Sequence, residues 1–227
     1  GYRSGGSEIN TARSLVVAFD PEYTWNTELS LRSVWLDGAA RFNANLFHVD
    51  WTAQQVQVNL GLNTYDNQTV NAGKSRLSGF EAEWAHRVSP QFDYYANIGH
   101  VRTRFGAMSP REGQARYTLT GAEFPHAPRW TAAVGGTWRN GQGLMVNLNA
   151  SHRTAMFDNA QNQSDPEARH KSRTLLNGRV GYETSLWGVF LDGSNLTNAK
   201  HSYYRDEKYG EVLGQPRRLS ISLEARW

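Results

Sequence analysis

Arginine, tyrosine and histidine are the side chains through which this sequence could recognise a ligand, and their spacing argues for binding over catalysis. Arg153, Arg173 and Arg218 each stand beside a long polar stretch. A planar guanidinium can hold a carboxylate through two parallel hydrogen bonds, so such positions suit an anionic ligand. Tyr65, Tyr117 and Tyr204 lie within similar stretches and offer faces for stacking on a catecholate or another flat molecule. Histidines occur at 48, 86, 100, 126, 152, 170 and 201, with no close pair at the spacing of metal ligands. Cysteine is absent, which removes disulfides, thiolate metal sites and a thiol nucleophile. No Gly-x-Ser-x-Gly, His-Glu-x-x-His or phosphate-binding glycine loop occurs, so no enzyme is expected. A protein-held metal or cofactor is not expected either, and any metal should arrive already chelated.

The elements that would position these groups read as strands. Hydrophobic residues make up 39% of the 227 and mean hydropathy is −0.64. No stretch approaches the roughly 18 apolar residues of a membrane-spanning helix, but a transmembrane barrel needs only alternate residues to face lipid. Basic residues are scattered, their longest run being Arg217-Arg218, and the formal charge is +3, which gives no nucleic-acid groove. Period-2 alternation recurs almost from end to end. Its cleanest case sets Leu219, Ile221, Leu223, Ala225 and Trp227 against Arg218, Ser220, Ser222, Glu224 and Arg226. Nine strands are predicted at about 24–36, 39–58, 74–88, 92–105, 127–139, 144–157, 172–184, 188–204 and 216–227, with residues 1–5 ending a tenth. Most exceed the 9–11 residues that a tilted strand needs to cross a bilayer.

The connections alternate strictly between short and long. Asp37-Gly38, Ser89-Pro90-Gln91, Asn140-Gly141-Gln142-Gly143 and Ser185-Leu186-Trp187 are tight; 6–23, 59–73, 106–126, 158–171 and 205–215 are long and polar. Asp-Gly and Asn-Gly supply the positive φ of a sharp reversal. All tight turns therefore fall at one end of the sheet and all long loops at the other, the polarity of outer-membrane barrels. Trp35, Trp138, Trp187 and Trp227 cluster at the tight-turn end, where an aromatic girdle belongs.

At several points the chain resembles the TonB-dependent outer-membrane receptors. Phe19-Asp20-Pro21-Glu22 followed by Trp25-Asn26-Thr27-Glu28-Leu29 is similar to the lead-in to a mid-barrel strand of that family. Gly79-Phe80-Glu81-Ala82-Glu83 resembles its Gly-x-Glu-x-Glu strand, and Phe124-Pro125-His126-Ala127-Pro128 its Pro-x-x-Pro-type approach to a later strand. Asn195-Leu196-Thr197-Asn198 with Tyr203-Tyr204, then Gly214-Gln215-Pro216-Arg217-Arg218, resembles the last hairpin. Two departures are visible: Trp227 ends the chain where the family usually has Phe, and Asn198 stands where Asp is common. The resemblance implies an all-β, antiparallel transmembrane barrel of which residues 1–227 form the nine to ten C-terminal strands. Such barrels have about 22 strands around a plug. The plug is absent from these residues, and Gly1–Gly6 has no signal-peptide pattern, so a fragment is expected, with a complete small barrel as the alternative.

The function implied is energised import of a ferric siderophore or similar large nutrient, with capture by loops and plug. The expected partners are the metal chelate, outer-membrane lipid and lipopolysaccharide, the TonB complex through the missing N-terminal part, and the barrel-assembly machinery through Trp227. If the apolar set of the last strand faces lipid, parity turns Glu28, Arg32, Glu81, Glu83, Arg87, Arg129, Arg139, Arg153, Arg173, Arg179, Glu183, Arg218, Glu224 and Arg226 toward the lumen. Most of these should form cross-strand ion pairs, with Arg153, Arg173 and Arg218 left at the outer mouth. Arg102 and Arg104 should face outward, near lipopolysaccharide phosphates. The alternatives are a passive porin-like barrel and a soluble carbohydrate-binding β-sandwich.

Overall fold

The computed structural model of the protein describes residues 1–63, 65–107, 119–161, 163, 169–206 and 210–225. Ten strands form one antiparallel sheet: β1 (Tyr2–Arg3), β2 (Glu22–Trp35), β3 (Ala40–Thr52), β4 (Ser75–Ser89), β5 (Phe92–Arg104), β6 (Trp130–Arg139), β7 (Leu144–Arg153), β8 (Arg173–Glu183), β9 (Trp187–Ser194) and β10 (Arg218–Ala225). Their spatial order is their chain order, and β1 and β10 are the two edges. No second sheet of comparable size stacks on this one, since the other described sheets are two-stranded hairpins within the long connections. The β-sandwich alternative is thereby overturned. An open sheet edge cannot stand in hydrocarbon, where its free N–H and C=O groups find no water, so the ten strands are part of a larger barrel.

The short connections lie at one end of the sheet. Between β2 and β3 the chain reverses through Leu36, Asp37 and Gly38, whose φ values of 53°, 52° and 91° are all positive. The predicted strand 144–157 leaves the wall after Arg153, Met156–Phe157 pairing instead with Arg169–His170, and two more predicted strands break at a residue of positive φ. The segment 39–58 leaves the wall after Thr52, at Ala53 with φ 54°, and continues as one arm of a loop hairpin, Gln55–Asn59 paired with Asn67–Asn71. The segment 188–204 leaves at Asn195, whose φ of 48° Asn tolerates better than a branched residue. Alternation runs on past both breaks because each loop hairpin is itself a two-faced ribbon.

Register settles the faces. Leu29, Leu46, Ile98, Val134, Leu148, Val180, Leu191, Ile221 and Leu223 share the outer face, and Leu29 and Leu223 are 70% and 78% exposed. The opposite face carries Asn43, Asn45, Glu81, Glu83, Asn97, Asn147, Asn149 and Asn177. A water-soluble sheet would bury the first set; here it is the polar set that curls inward. Trp35, Trp138 and Trp187 lie on the outer face beside the tight turns, and Trp84 Nε1 donates to the Tyr94 hydroxyl (3.1 Å) at the same level. Trp25 and Trp130 occupy the other end of that face, with Trp130 against His100 at 4.4 Å. Trp25 to Trp35 is about 33 Å along the strand at about 3.3 Å per residue, or about 23 Å along the normal at a tilt of about 45°. An outer-membrane apolar band is about 25 Å tall.

The hydrophobic core lies at the loop end. Val58, Ala72, Phe105, Leu119 and Ala160 are buried together, flanked by Val56, Leu60, Val70, Ala122 and Phe124. These residues come from three different long connections, so the loops form a packed layer over that end of the sheet. Asp66 fastens a fourth connection to it. Its buried carboxylate accepts from Arg13 Nε (2.7 Å) and a second Arg13 nitrogen (2.9 Å), from Asn10 Nδ2 (2.9 Å) and from the Leu62 backbone N–H (2.9 Å). These bonds, the arginine first among them, hold the Asp66 carboxyl far below the ordinary carboxylate range. A depressed folded-state pKa contributes stability that is complete above the unfolded value of about 4 and is lost as pH falls below it. Asp66→Ala should therefore raise amide exchange in residues 6–19 and 55–71 roughly 5- to 100-fold at pH 7. The wild-type protein should show the same loosening only on acidification below about pH 4.

Candidate functional site

The inner face beneath the loop layer holds the charged groups that the sequence singled out. One row across the sheet reads Glu81, Gly99, Thr131, Arg153, Arg173, each paired with the next on the neighbouring strand. Small residues in the middle of this row clear a groove of about 430 Å³, walled by Glu81 and Glu83 on one side and Arg153 and Arg173 on the other. The two arginines are cross-strand neighbours at the ends of β7 and β8 next to the loops, and both are half-buried. Among the described residues no carboxylate is ion-paired with either. Like charges opposed across a ladder are unfavourable unless an anion lies between them, so the pair is suited to an acidic ligand.

Arg218 does not join them. It pairs with Ser194 on β9, next to Gly193, which pairs with Gly178 on β8. That places Arg218 about 13 Å further from the loop end than Arg173, at about 3.3 Å per residue. There it lines a second depression with Asn147, Asn149, Asn177 and Arg179. Tyr65 is 70% exposed at the tip of its loop, its N–H bonded to Asn63 Oδ1 at 2.8 Å. Tyr204 lies in the strand Ser202–Asp206 of the last loop hairpin, its side chain outside the described atoms. Tyr117, Arg226 and Trp227 lie outside the described residues.

Ion pairing holds only part of the wall, because Glu28, Arg32, Glu81, Glu83 and Arg87 have no ion-pair partner among the described residues. Arg179 meets Asp192 at 3.6 Å and Glu224 more closely, and its guanidinium lies 3.7 Å over the Phe190 ring. Phe190 is an aromatic on the polar face, accommodated because Gly181 and Gly188 have no side chain where its ring lies. Arg139 pairs with Asp93 (2.8 Å), and Arg129 with Glu123. Amides extend this framework: Asn177 donates to Asn149, Asn149 to Asn147 and Asn147 to Thr137, at 3.0, 3.1 and 2.9 Å. Arg102 and Arg104 share the outer face with Tyr94, as parity requires, and Arg76 sits opposite Arg104.

One grouping escaped the sequence. His126, Asp158 and His170 come together in the loop layer, each offering a ligand atom within 4.8 Å of the others. Linear spacing could not reveal it, because His126 and His170 belong to different loops. Only the position of His126 inside the Phe124–Pro128 motif marked that loop for attention.

The sequence matches the family model described as "TonB dependent receptor-like, beta-barrel" over residues 1–196. The ferric-pyoverdine M114 receptor PbuA of Pseudomonas sp. (strain M114) is 25% identical over 205 residues, covering 87% of this chain and 24% of that protein. The chain thus spans about a quarter of this curated relative's length. The ferric yersiniabactin uptake receptor FyuA of Yersinia pestis superposes with a TM-score of 0.75 at 19% identity, over 97% of this chain and 33% of that one. The ferripyoverdine receptor of Pseudomonas aeruginosa, solved with ferripyoverdine bound, superposes with a TM-score of 0.65 at 14% identity, over 90% of this chain and 27% of that one. At these identities the structural likeness speaks for the fold.

Proposed function

Because this chain belongs to the TonB-dependent receptor β-barrel family and is part of an outer-membrane barrel, we propose that it forms wall and outer loops of a receptor importing a ferric siderophore. The observation that carries this reading is the pair Arg153 and Arg173. Two guanidinium groups at the mouth of the lumen, with no carboxylate paired to either among the described residues, suit a ligand with more than one anionic group. The curated relative named for ferric pyoverdine, and the neighbours named for yersiniabactin and pyoverdine, support a siderophore over other nutrients. Family members are receptors and transporters, which agrees with a non-enzymatic role.

In this reading the loop layer and the Arg153–Arg173 row capture the chelate. A plug encoded outside these residues closes the lumen and couples to TonB, so the wall described here lines the path and holds no gate. Tyr65 and Tyr204 are proposed to stack on planar parts of the ligand, Tyr117 likewise, with Arg218 binding deeper along the path. Arg102 and Arg104 face lipopolysaccharide phosphates, the outer aromatic belts face lipid headgroups, and Trp227 serves recognition by the barrel-assembly machinery.

The test is uptake of radiolabelled iron presented as ferric pyoverdine, ferric yersiniabactin or a ferric catecholate. Cells carrying the intact gene should accumulate at least one of these, disrupted cells should not, and collapsing the inner-membrane proton gradient should abolish accumulation. Uptake that survives loss of the gradient would instead favour the passive porin, and equal uptake without the gene would remove the reading.

A further inference from the structure

We propose that His126, Asp158 and His170 form a binding site for a borderline divalent transition-metal ion, such as Zn²⁺, that joins two of the outer loops. The proposal goes beyond siderophore import and does not depend on it, because these residues lie in the loop layer and not in the Arg153–Arg173 groove.

Two imidazoles and a carboxylate are a donor set suited to such ions. His170 is fully buried and its Nε2 lies 2.7 Å from Asp158 Oδ1; His126 Nε2 lies 3.9 Å from the same oxygen. The two imidazole rings are 5.9 Å apart between centroids. Bonds of about 2.0–2.2 Å in a tetrahedral arrangement require donor separations of about 3.3–3.5 Å. The His170–Asp158 contact must therefore open by under 1 Å and His126 must close by about as much. Asp158 is 12% exposed and His126 54%, so the adjustment falls on the least constrained member. Three protein donors leave at least one coordination position for water or another ligand.

The backbone favours this convergence. Met156–Phe157 and Arg169–His170 pair as a short ribbon, with His170 opposite Met156, which places Asp158 just past the ribbon. The His126 backbone N–H donates to the Phe157 carbonyl at 2.9 Å, which brings residues 124–128 against the same ribbon. His126 itself has φ 55°, a left-handed conformation uncommon outside glycine, and backbone strain of this kind clusters at ligand clamps. Behind His170, Nδ1 lies 3.4 Å from Ser202 Oγ, an outer partner of the kind that orients metal-bound imidazoles. A simple buried His–Asp pair would explain His170 and Asp158. It would not explain the second imidazole aimed at the same oxygen.

The experiment is calorimetric titration of the full-length protein, purified in detergent without a histidine tag, with ZnCl₂. Co²⁺ serves as a spectroscopic probe whose visible absorption reports its coordination. One high-affinity ion per protein is expected. His126→Ala, at an exposed residue, and Asp158→Asn, which keeps the side-chain shape, should each weaken binding by about 100-fold or more and bleach the Co²⁺ spectrum. Circular dichroism and heat-modifiable mobility of both variants should match wild type, which separates lost binding from lost folding. Absence of any ion bound more tightly than about 100 µM, or equal binding by wild type and both variants, would overturn the site.

Discussion

Replacing Leu29 by arginine is expected to destabilise the folded barrel by about 2–4 kcal/mol, the cost of a charge near the middle of the lipid-facing surface. The same replacement one residue later, Ser30→Arg, should cost less than about 1 kcal/mol. The two residues are adjacent on β2, but alternation puts Leu29 among the outer apolar residues and Ser30 on the inner face. Ser30 Oγ already bonds Glu28 and Asn45, at 3.2 and 3.1 Å, so an arginine there meets a carboxylate and water. The comparison holds the introduced side chain and the position along the sheet nearly constant and contrasts the medium that each face meets. Reversible denaturant unfolding of the full-length protein in lipid vesicles reads both values. Equal costs at the two positions would mean that the outer face does not contact lipid.

Arg153→Ala combined with Arg173→Ala is expected to lower affinity for the proposed ferric-siderophore ligand by about 100-fold or more, at about 1.5–3 kcal/mol for each charge-assisted contact. Folding stability should not fall with it. The two guanidinium groups oppose each other across the β7–β8 ladder, so their removal relieves repulsion in the ligand-free protein. Conversion of both to lysine should restore charge without the planar fork and recover only part of the affinity. Arg218→Ala, in the second depression, should change equilibrium affinity little. Binding to purified protein by fluorescence quenching, with thermal unfolding measured alongside, separates these effects. Affinity unchanged in the double alanine variant would remove the arginine pair from the binding site.

The wall was legible in the sequence because its information is local. Period-2 alternation in segments such as 219–225 assigns each residue to a face without reference to any partner strand, and Asp37-Gly38 and Asn140-Gly141 mark reversals by their own backbone preferences. Inward placement of Arg139, Arg153, Arg173 and Arg179 followed from that parity alone. The loop ends were less legible. Alternation continues from Thr52 into 55–59 and from Ser194 into 202–206, so pattern could not show where a wall strand ends and a loop ribbon begins.

The sequence by itself determined the strand class, the polarity of the connections and which face is apolar, since each depends on neighbours within a few residues. Only the tertiary structure decided that Arg153 and Arg173 stand together while Arg218 lies apart, because that depends on register across four strands. It alone gathered Val58, Phe105 and Ala160 into a core, buried Asp66 against Arg13, and brought His126 to Asp158 and His170. Those contacts join residues from separate loops, and a one-dimensional pattern carries no measure of how loops fold over one another.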